Sequence, residues 1–275
     1  MAEPNGIYAE KNIYSKKGVL LLAKGQKMTP EIARQLERIE TVLSDGSDGD
    51  EPPLPSRDSL EQSRRKMQSD LDPSSLTAID VAADILGQIL FESKNQPWWL
   101  LIQTLSNYID WVYTHSINVA LLSLIISLKA GTARSELKEI CLGAFLHDVG
   151  KLLIPKSVIQ KPGRLDEMQT SVVRQHPQLG IDIVKEYHLP AICNNVIYQH
   201  HERLDGSGYP NGLKGREISR EARIVMIADV FDASTSYRPY REAEPVQDQL
   251  LRMKDSPKYD TKLVRDFASF LTAIK

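Results

Sequence analysis

His147-Asp148-Val149-Gly150-Lys151 closes the apolar run Ile140-Cys141-Leu142-Gly143-Ala144-Phe145-Leu146, and this stretch decides the fold. An apolar run that ends on a polar pair describes a buried helix whose last residues face the interior of a bundle. The histidine offers a neutral nitrogen ligand, and the aspartate offers a carboxylate able to bridge two cations. Alone the pair is weak, because a buried histidine satisfied by its neighbour has the same sequence. The other histidines give it weight. The chain has six, His115, His147, His176, His188, His200 and His201, and five of them can be assigned to one site.

Working outward, 275 residues with 41% hydrophobic and 25% charged content predict a large globular domain with an ample core, plus a small one. With 34 basic against 36 acidic residues, no polyanion-binding surface is indicated, so DNA and RNA polymers are not expected partners. Cys141 and Cys193 each sit among apolar residues and read as reduced core residues of a cytoplasmic protein. The N-terminus lacks the basic and apolar regions of a signal peptide. The most apolar run, Val119 to Leu128, covers ten residues where a membrane span needs roughly 20. It reads as a buried helix, and no membrane association is expected.

Residues 1–43 read as a small α+β unit, with strands over Ile7 to Tyr14 and Val19 to Ala23. A helix follows from Thr29-Pro30-Glu31, where threonine caps and proline suits the first helical position. This unit suits regulation or packing. The acidic, Pro- and Gly-rich residues 44–58 bury too little apolar surface to order themselves and predict a linker. Residues 59–275 then read as helical throughout. Leu76, Ile79, Ala82, Leu86, Ile89 and Leu90 mark one helix face, and Trp98 to Ile109 continue as another helix. His115, Val119 and Leu122 share a face of the next. Helices are also expected over Ile218 to Ser236 and Tyr259 to Ile274, with turns at Pro155, Pro162-Gly163 and Pro177.

His115, His147, Asp148, His176, His200, His201 and Asp229 form an ordered ligand set. Imidazole and carboxylate without thiolate suit a catalytic iron, manganese, nickel or zinc site. Seven ligands exceed the needs of one ion and match two ions sharing Asp148. His115, His147, Asp148 and Asp229 would hold one; Asp148, His176, His200 and His201 the other.

From about residue 104 to the C-terminus, the series resembles the HD-GYP domain, a branch of the HD phosphohydrolase superfamily. The resemblance rests on Tyr113-Thr114-His115-Ser116-Ile117-Asn118-Val119-Ala120, on His147-Asp148-Val149-Gly150-Lys151, and on His176-Pro177 with Gly180. It continues through His200-His201-Glu202-Arg203-Leu204-Asp205-Gly206-Ser207-Gly208-Tyr209-Pro210, Ile227-Ala228-Asp229-Val230-Phe231-Asp232-Ala233 and Arg238-Pro239-Tyr240-Arg241. It implies a mainly α fold, an all-helical HD-type bundle, and a phosphodiesterase that hydrolyses cyclic di-GMP with two divalent transition-metal ions, iron or manganese, and no organic cofactor. Such ions, about 3.5–4 Å apart, acidify a bridging water and clamp an in-line phosphoryl displacement.

The catalytic residues would be Asp148 and Lys151, the latter also touching the phosphate and stabilising or protonating the departing 3′-oxygen. Arg238 and Arg241 suit phosphate or guanine. Tyr209 would shape the loop or the substrate edge. Asp232, one turn past Asp229, is assigned to the substrate side or to orienting a water or a ligand histidine. Asp205 to Pro210 form a loop with two glycines free to take positive φ. His188 belongs to no motif and reads as an interhelical turn. A weakly active cyclic-dinucleotide sensor working through protein partners is the alternative, and related substrates such as cyclic GMP-AMP stay open. Protein partners would engage the N-terminal unit or the Gly208-Tyr209-Pro210 loop, and a homodimer is a further expectation.

One position departs from some family members, which carry a glutamate four residues before the first histidine that supports a third metal. Here it is Trp111. The departure implies a two-metal site and release of linear pGpG more than of GMP.

Overall fold

The computed structural model describes residues 57–236 and 244–269 in full and, before them, the backbone of five short strands. β1 (Ile7–Tyr8) pairs antiparallel with β4 (Lys27–Met28). β2 (Ile13–Ser15) lies between β3 (Leu20–Leu22) and β5 (Thr41–Leu43), with Ile13 opposite both Leu22 and Leu43. The single strand expected from Ile7 to Tyr14 is therefore two strands in different sheets. The polar Glu10-Lys11-Asn12 triplet, poor in strand propensity, separates them. The helix expected from Thr29, and residues 44–56 of the expected linker, lie outside the described residues. The linker's last two residues, Arg57 and Asp58, open helix α1 (Arg57–Asp70).

The rest is a helical bundle. α2 (Leu76–Gly87) runs into a π-helical turn, Gln88–Glu92, ahead of Pro97. Its expected stripe is the core face: Ile79, Ala82, Leu86 and Leu90 are wholly buried, while Leu76, at the helix start, is 41% exposed. α3 (Trp99–Ser106) stops three residues short of Ile109, and α4 (Asp110–Lys129) starts afresh. α4 is the central helix, buried from Val112 to Ser127 with the exception of Thr114, and it packs on α1, α2, α3 and α5 (Arg134–Leu146). By length and composition α4 and the Pro73–Glu92 stretch could cross a bilayer; 83% and 33% of their respective windows are buried inside the fold.

After α5 come a 3-10 turn, Val149–Leu153, then α6 (Lys156–Ile159), α7 (Glu167–Val173), α8 (His176–Val184) and α9 (Ala191–Gln199). Pro177, expected between helices, sits inside the first turn of α8, where a missing N–H costs nothing. His188 does occupy an interhelical turn, with φ 48°. α10 (Arg220–Thr235) returns against α4, followed by α11 (Val246–Lys254) and α12 (Thr261–Ala268), which packs on α4. Ser219 caps α10 by accepting from Ala222 N, and Asp260 caps α12. Residues 270–275, part of the expected last helix, lie outside the described residues. Cys141 and Cys193 are buried free thiols.

Candidate metal centre

Five helices deliver the ligand set to one point. His115 comes from α4, His147-Asp148 from the end of α5, His176 from the start of α8, His200-His201 from the end of α9, and Asp229 from α10. Asp148 is central and 1% exposed. Its Oδ2 faces His147 Nε2 at 3.4 Å and His115 Nε2 at 3.8 Å. Its Oδ1 faces His176 Nε2 at 3.3 Å and His200 Nε2 at 3.9 Å. Asp229 divides likewise, with Oδ1 3.1 Å from His115 Nε2 and Oδ2 3.9 Å from His201 Nδ1. Among the described residues two groups of side chains can hold an ion, His115 with His147 and Asp148, and His176 with His200, His201 and Asp148.

Local structure prepares these nitrogens. A helix ends with carbonyls that lack intrahelical partners. His147 Nδ1 donates to Ala144 O (2.6 Å), His176 Nδ1 to Val173 O at the end of α7 (2.8 Å), and His200 Nδ1 to Ile197 O (3.0 Å). A carbonyl only accepts, so each Nδ1 carries the hydrogen and each Nε2 a lone pair. His115 Nδ1 donates in the same way to Asp232 Oδ2 at 2.6 Å. The result is a ring of buried acceptors. His176 Nε2 and His200 Nε2 lie 3.1 Å apart, and His147 Nε2 and Asp148 Oδ1 have no hydrogen-bond partner. Acceptors crowded together without a donor are costly unless a cation lies among them, and this donor set fits divalent cations.

The electrostatics agree. Burial pushes the His176 imidazolium down to about 4, with Lys151 adding to the effect. Burial and neighbouring imidazoles hold His200 and His201 well below the usual histidine range. Burial alone would raise the Asp148 carboxyl, but Lys151, His147 and His176 together hold it well below the usual carboxylate range. For Asp229, burial is likewise overcome by His115, His201 and His147. Neutral imidazole beside ionised carboxylate is the form a cation binds.

Lys151 Nζ donates to Asp148 Oδ2 (2.5 Å), so its charge sits against the shared carboxylate. Tyr209 stacks on His201, ring centroids 4.7 Å apart. Asp232, placed on the substrate side as one of two expectations, is instead 1% exposed behind His115. It grips His115 Nδ1 and accepts from Asn118 Nδ2 (2.8 Å) and Ser236 Oγ (2.7 Å). Both its oxygens thus accept from protein donors. Asp232→Ala should weaken metal binding about 10- to 100-fold, measured by titrating cation into metal-free protein; unchanged affinity would leave Asp232 as a buried pair only.

The glycine-rich loop is held from within. Glu202, wholly buried, accepts from Asn211 N (2.7 Å) and Leu213 N (3.0 Å). Gly206 takes positive φ, but Gly208 does not. Gly208 is needed for space, since a Cβ there would lie 2.4 Å from Arg203 N and Glu202 Cα. Asn118 and Glu202 received no role from sequence, although Asn118 lies one turn past His115. Trp111 is partly buried against the core, one turn before His115. Arg238 and Arg241 lie outside the described residues.

A family model described as HD domain matches residues 100–263. The chain is 44% identical over 121 residues to the cyclic di-GMP phosphodiesterase response regulator RpfG of Xanthomonas campestris pv. campestris, covering 43% of this chain and 32% of that protein. It is 33% identical over 195 residues to a cyclic di-GMP phosphodiesterase of Pseudomonas aeruginosa, covering 69% of this chain and 47% of that one. The chain thus spans less than half the length of these relatives. Its fold is similar to that of an HDG"Y"P protein from Bdellovibrio bacteriovorus, with TM-score 0.52 and 19% identity over 96% of this chain and 95% of the other.

Proposed function

This chain belongs to the HD domain family, and from that premise we propose that it is a dinuclear metal-dependent phosphodiesterase that hydrolyses cyclic di-GMP to linear pGpG. The observation that carries the reading is the division of Asp148, one oxygen toward His115 and His147 and the other toward His176 and His200. The resemblance to relatives named as cyclic di-GMP phosphodiesterases supports the substrate.

His115, His147, Asp148 and Asp229 would hold one ion, and Asp148, His176, His200 and His201 the other, with iron, or else manganese, as the metal. When bound, the ions supply Lewis acidity toward the phosphodiester and the attacking water. The chain's own residues do the rest. Asp148 keeps both oxygens ionised and shared. Lys151, its side chain 13% exposed, presents a proton donor toward the departing 3′-oxygen. Tyr209 borders the substrate, and Arg238 and Arg241 are assigned to its phosphates or guanine. Water adds to phosphorus, the bond to the 3′-oxygen breaks, and the proton returns to that oxygen.

We assign residues 1–43 to a regulatory or packing unit, 44–58 to a linker and 59–275 to the catalytic unit, acting in the cytoplasm. Homodimerisation and protein partners engaged through the first unit or the loop belong to the same proposal. Trp111 offers no ligand atom where a third cation would need a carboxylate, so one cut is favoured over two. Incubating metal-loaded protein with cyclic di-GMP should accumulate pGpG with little GMP, and Trp111→Glu should raise both GMP formation and the metal content. No hydrolysis by the loaded protein overturns the function; rapid GMP formation by the unmodified chain overturns the part given to Trp111.

A further inference from the structure

None of the residues of α7 is fully buried, and the helix leads directly into the ligand His176. Its capping box, Asp166 with Gln169, fixes its start, and Val172 and Val173, both partly buried, hold it against the core. Glu167, Thr170, Ser171 and Arg174 recur at helical spacing and form the polar outer face of the helix. With Leu165 they line a shallow, open groove of about 400 Å³. Among the described residues neither Glu167 nor Arg174 forms an ion pair.

The groove adjoins the metal centre. Arg174 lies two residues before the ligand His176, and its guanidinium carbon stands 5.3 Å over the Tyr209 ring. Tyr209 in turn stacks on His201. An unbroken series, Arg174 to Tyr209 to His201, therefore leads from the groove to the ions' ligands.

We propose that this groove is the guanine subsite of the substrate, with Arg174 and Glu167 reading opposite edges of one base. This rests on the phosphodiesterase reading above and deepens it. Guanine offers acceptors at O6 and N7, which suit the guanidinium fork. It offers donors at N1 and N2, which suit a carboxylate that accepts at two oxygens. Glu167 and Arg174 are seven residues apart, about 10 Å along a helix axis, a span filled by a purine with hydrogen bonds at both edges. Leu165 supplies apolar surface for the base face, and Thr170 and Ser171 can follow the ribose. Adenine reverses the pattern: its N6 donates where O6 accepts, and its N1 accepts where guanine donates. Arg174 and Glu167 are therefore specificity-determining residues.

The test compares kcat/KM for cyclic di-GMP and cyclic di-AMP in the metal-loaded 275-residue chain, with metal content measured for each variant. Glu167→Gln keeps the shape, removes one acceptor and adds a donor that adenine N1 can use. Its preference for cyclic di-GMP should fall about 10- to 100-fold, as expected for charge-assisted hydrogen bonds. Arg174→Ala should also lose more on cyclic di-GMP than on cyclic di-AMP. Equal losses on both nucleotides would assign these residues to folding or to phosphate and overturn the subsite. Selectivity unchanged in both variants, with a wild type that cleaves cyclic di-GMP, would overturn the subsite alone. A wild type that cleaves neither nucleotide overturns the phosphodiesterase reading and the subsite with it.

Discussion

Replacing Asp148 by alanine is expected to remove both ions and to lower cyclic di-GMP hydrolysis by about 10³-fold or more, several kcal/mol of lost charge stabilisation at tenfold per 1.36 kcal/mol. The size follows from position. Asp148 is the one side chain present in both ligand groups, and its two oxygens face different histidines. His176→Ala, by contrast, removes a ligand from one group only and should leave roughly half the metal. Elemental analysis of the two variants after loading separates the cases. Full metal content in Asp148→Ala would show that each group closes without the shared carboxylate. Lys151 offers a second readout, since Asp148→Ala also frees its ammonium from its carboxylate partner. A Lys151→Ala change should therefore cost less in the Asp148→Ala background than in the unmodified protein.

The second large effect is on stability. Gly150 lies in the 3-10 turn after Asp148, where that turn meets the start of α8. A Cβ added there would lie 1.9 Å from His176 O and 2.5 Å from Gly180 N. Both are backbone atoms, so no side chain can turn aside. The turn and α8 must separate, moving Asp148 relative to His176. Gly150→Ala should cost about 3 kcal/mol, the upper part of the usual range for overpacking. That lowers Tm by about 2–4 °C for each kcal/mol in a domain of this size. Denaturation is best followed in metal-free protein, so that lost packing is not mixed with lost ligand binding. A change below about 0.5 kcal/mol would show that the two elements are not tightly packed. In the loaded protein the same variant should bind the His115 and His147 ion better than the His176 ion, because His176, displaced from Asp148, belongs only to the latter group.

The helical class and the bundle's main apolar stripes were legible in the chain alone, as was the choice of the seven histidines and aspartates that the fold brings together. Periodicity reports burial directly in Ile79, Ala82, Leu86 and Leu90. The ordered series of histidines and aspartates is legible because few residue types offer a neutral nitrogen or a bridging carboxylate to a cation. The N-terminal strands were less legible: segments of two or three residues carry too short an alternation to set their boundaries or to divide them between two sheets.

What only the tertiary structure decided concerns atoms, and the reason is that each partner is remote in the chain. That Asp232 accepts from His115, 117 residues earlier in the chain, depends on α10 lying beside α4. That His147, His176 and His200 present Nε2 depends on which carbonyl each Nδ1 meets at a helix end. Glu202 binds N–H groups of its own loop only because that loop folds back over it, and Gly208 is required by the same close approach. Hydrophobic patterning specifies which face of an element is buried; it does not say which polar group will lie opposite once two buried faces meet.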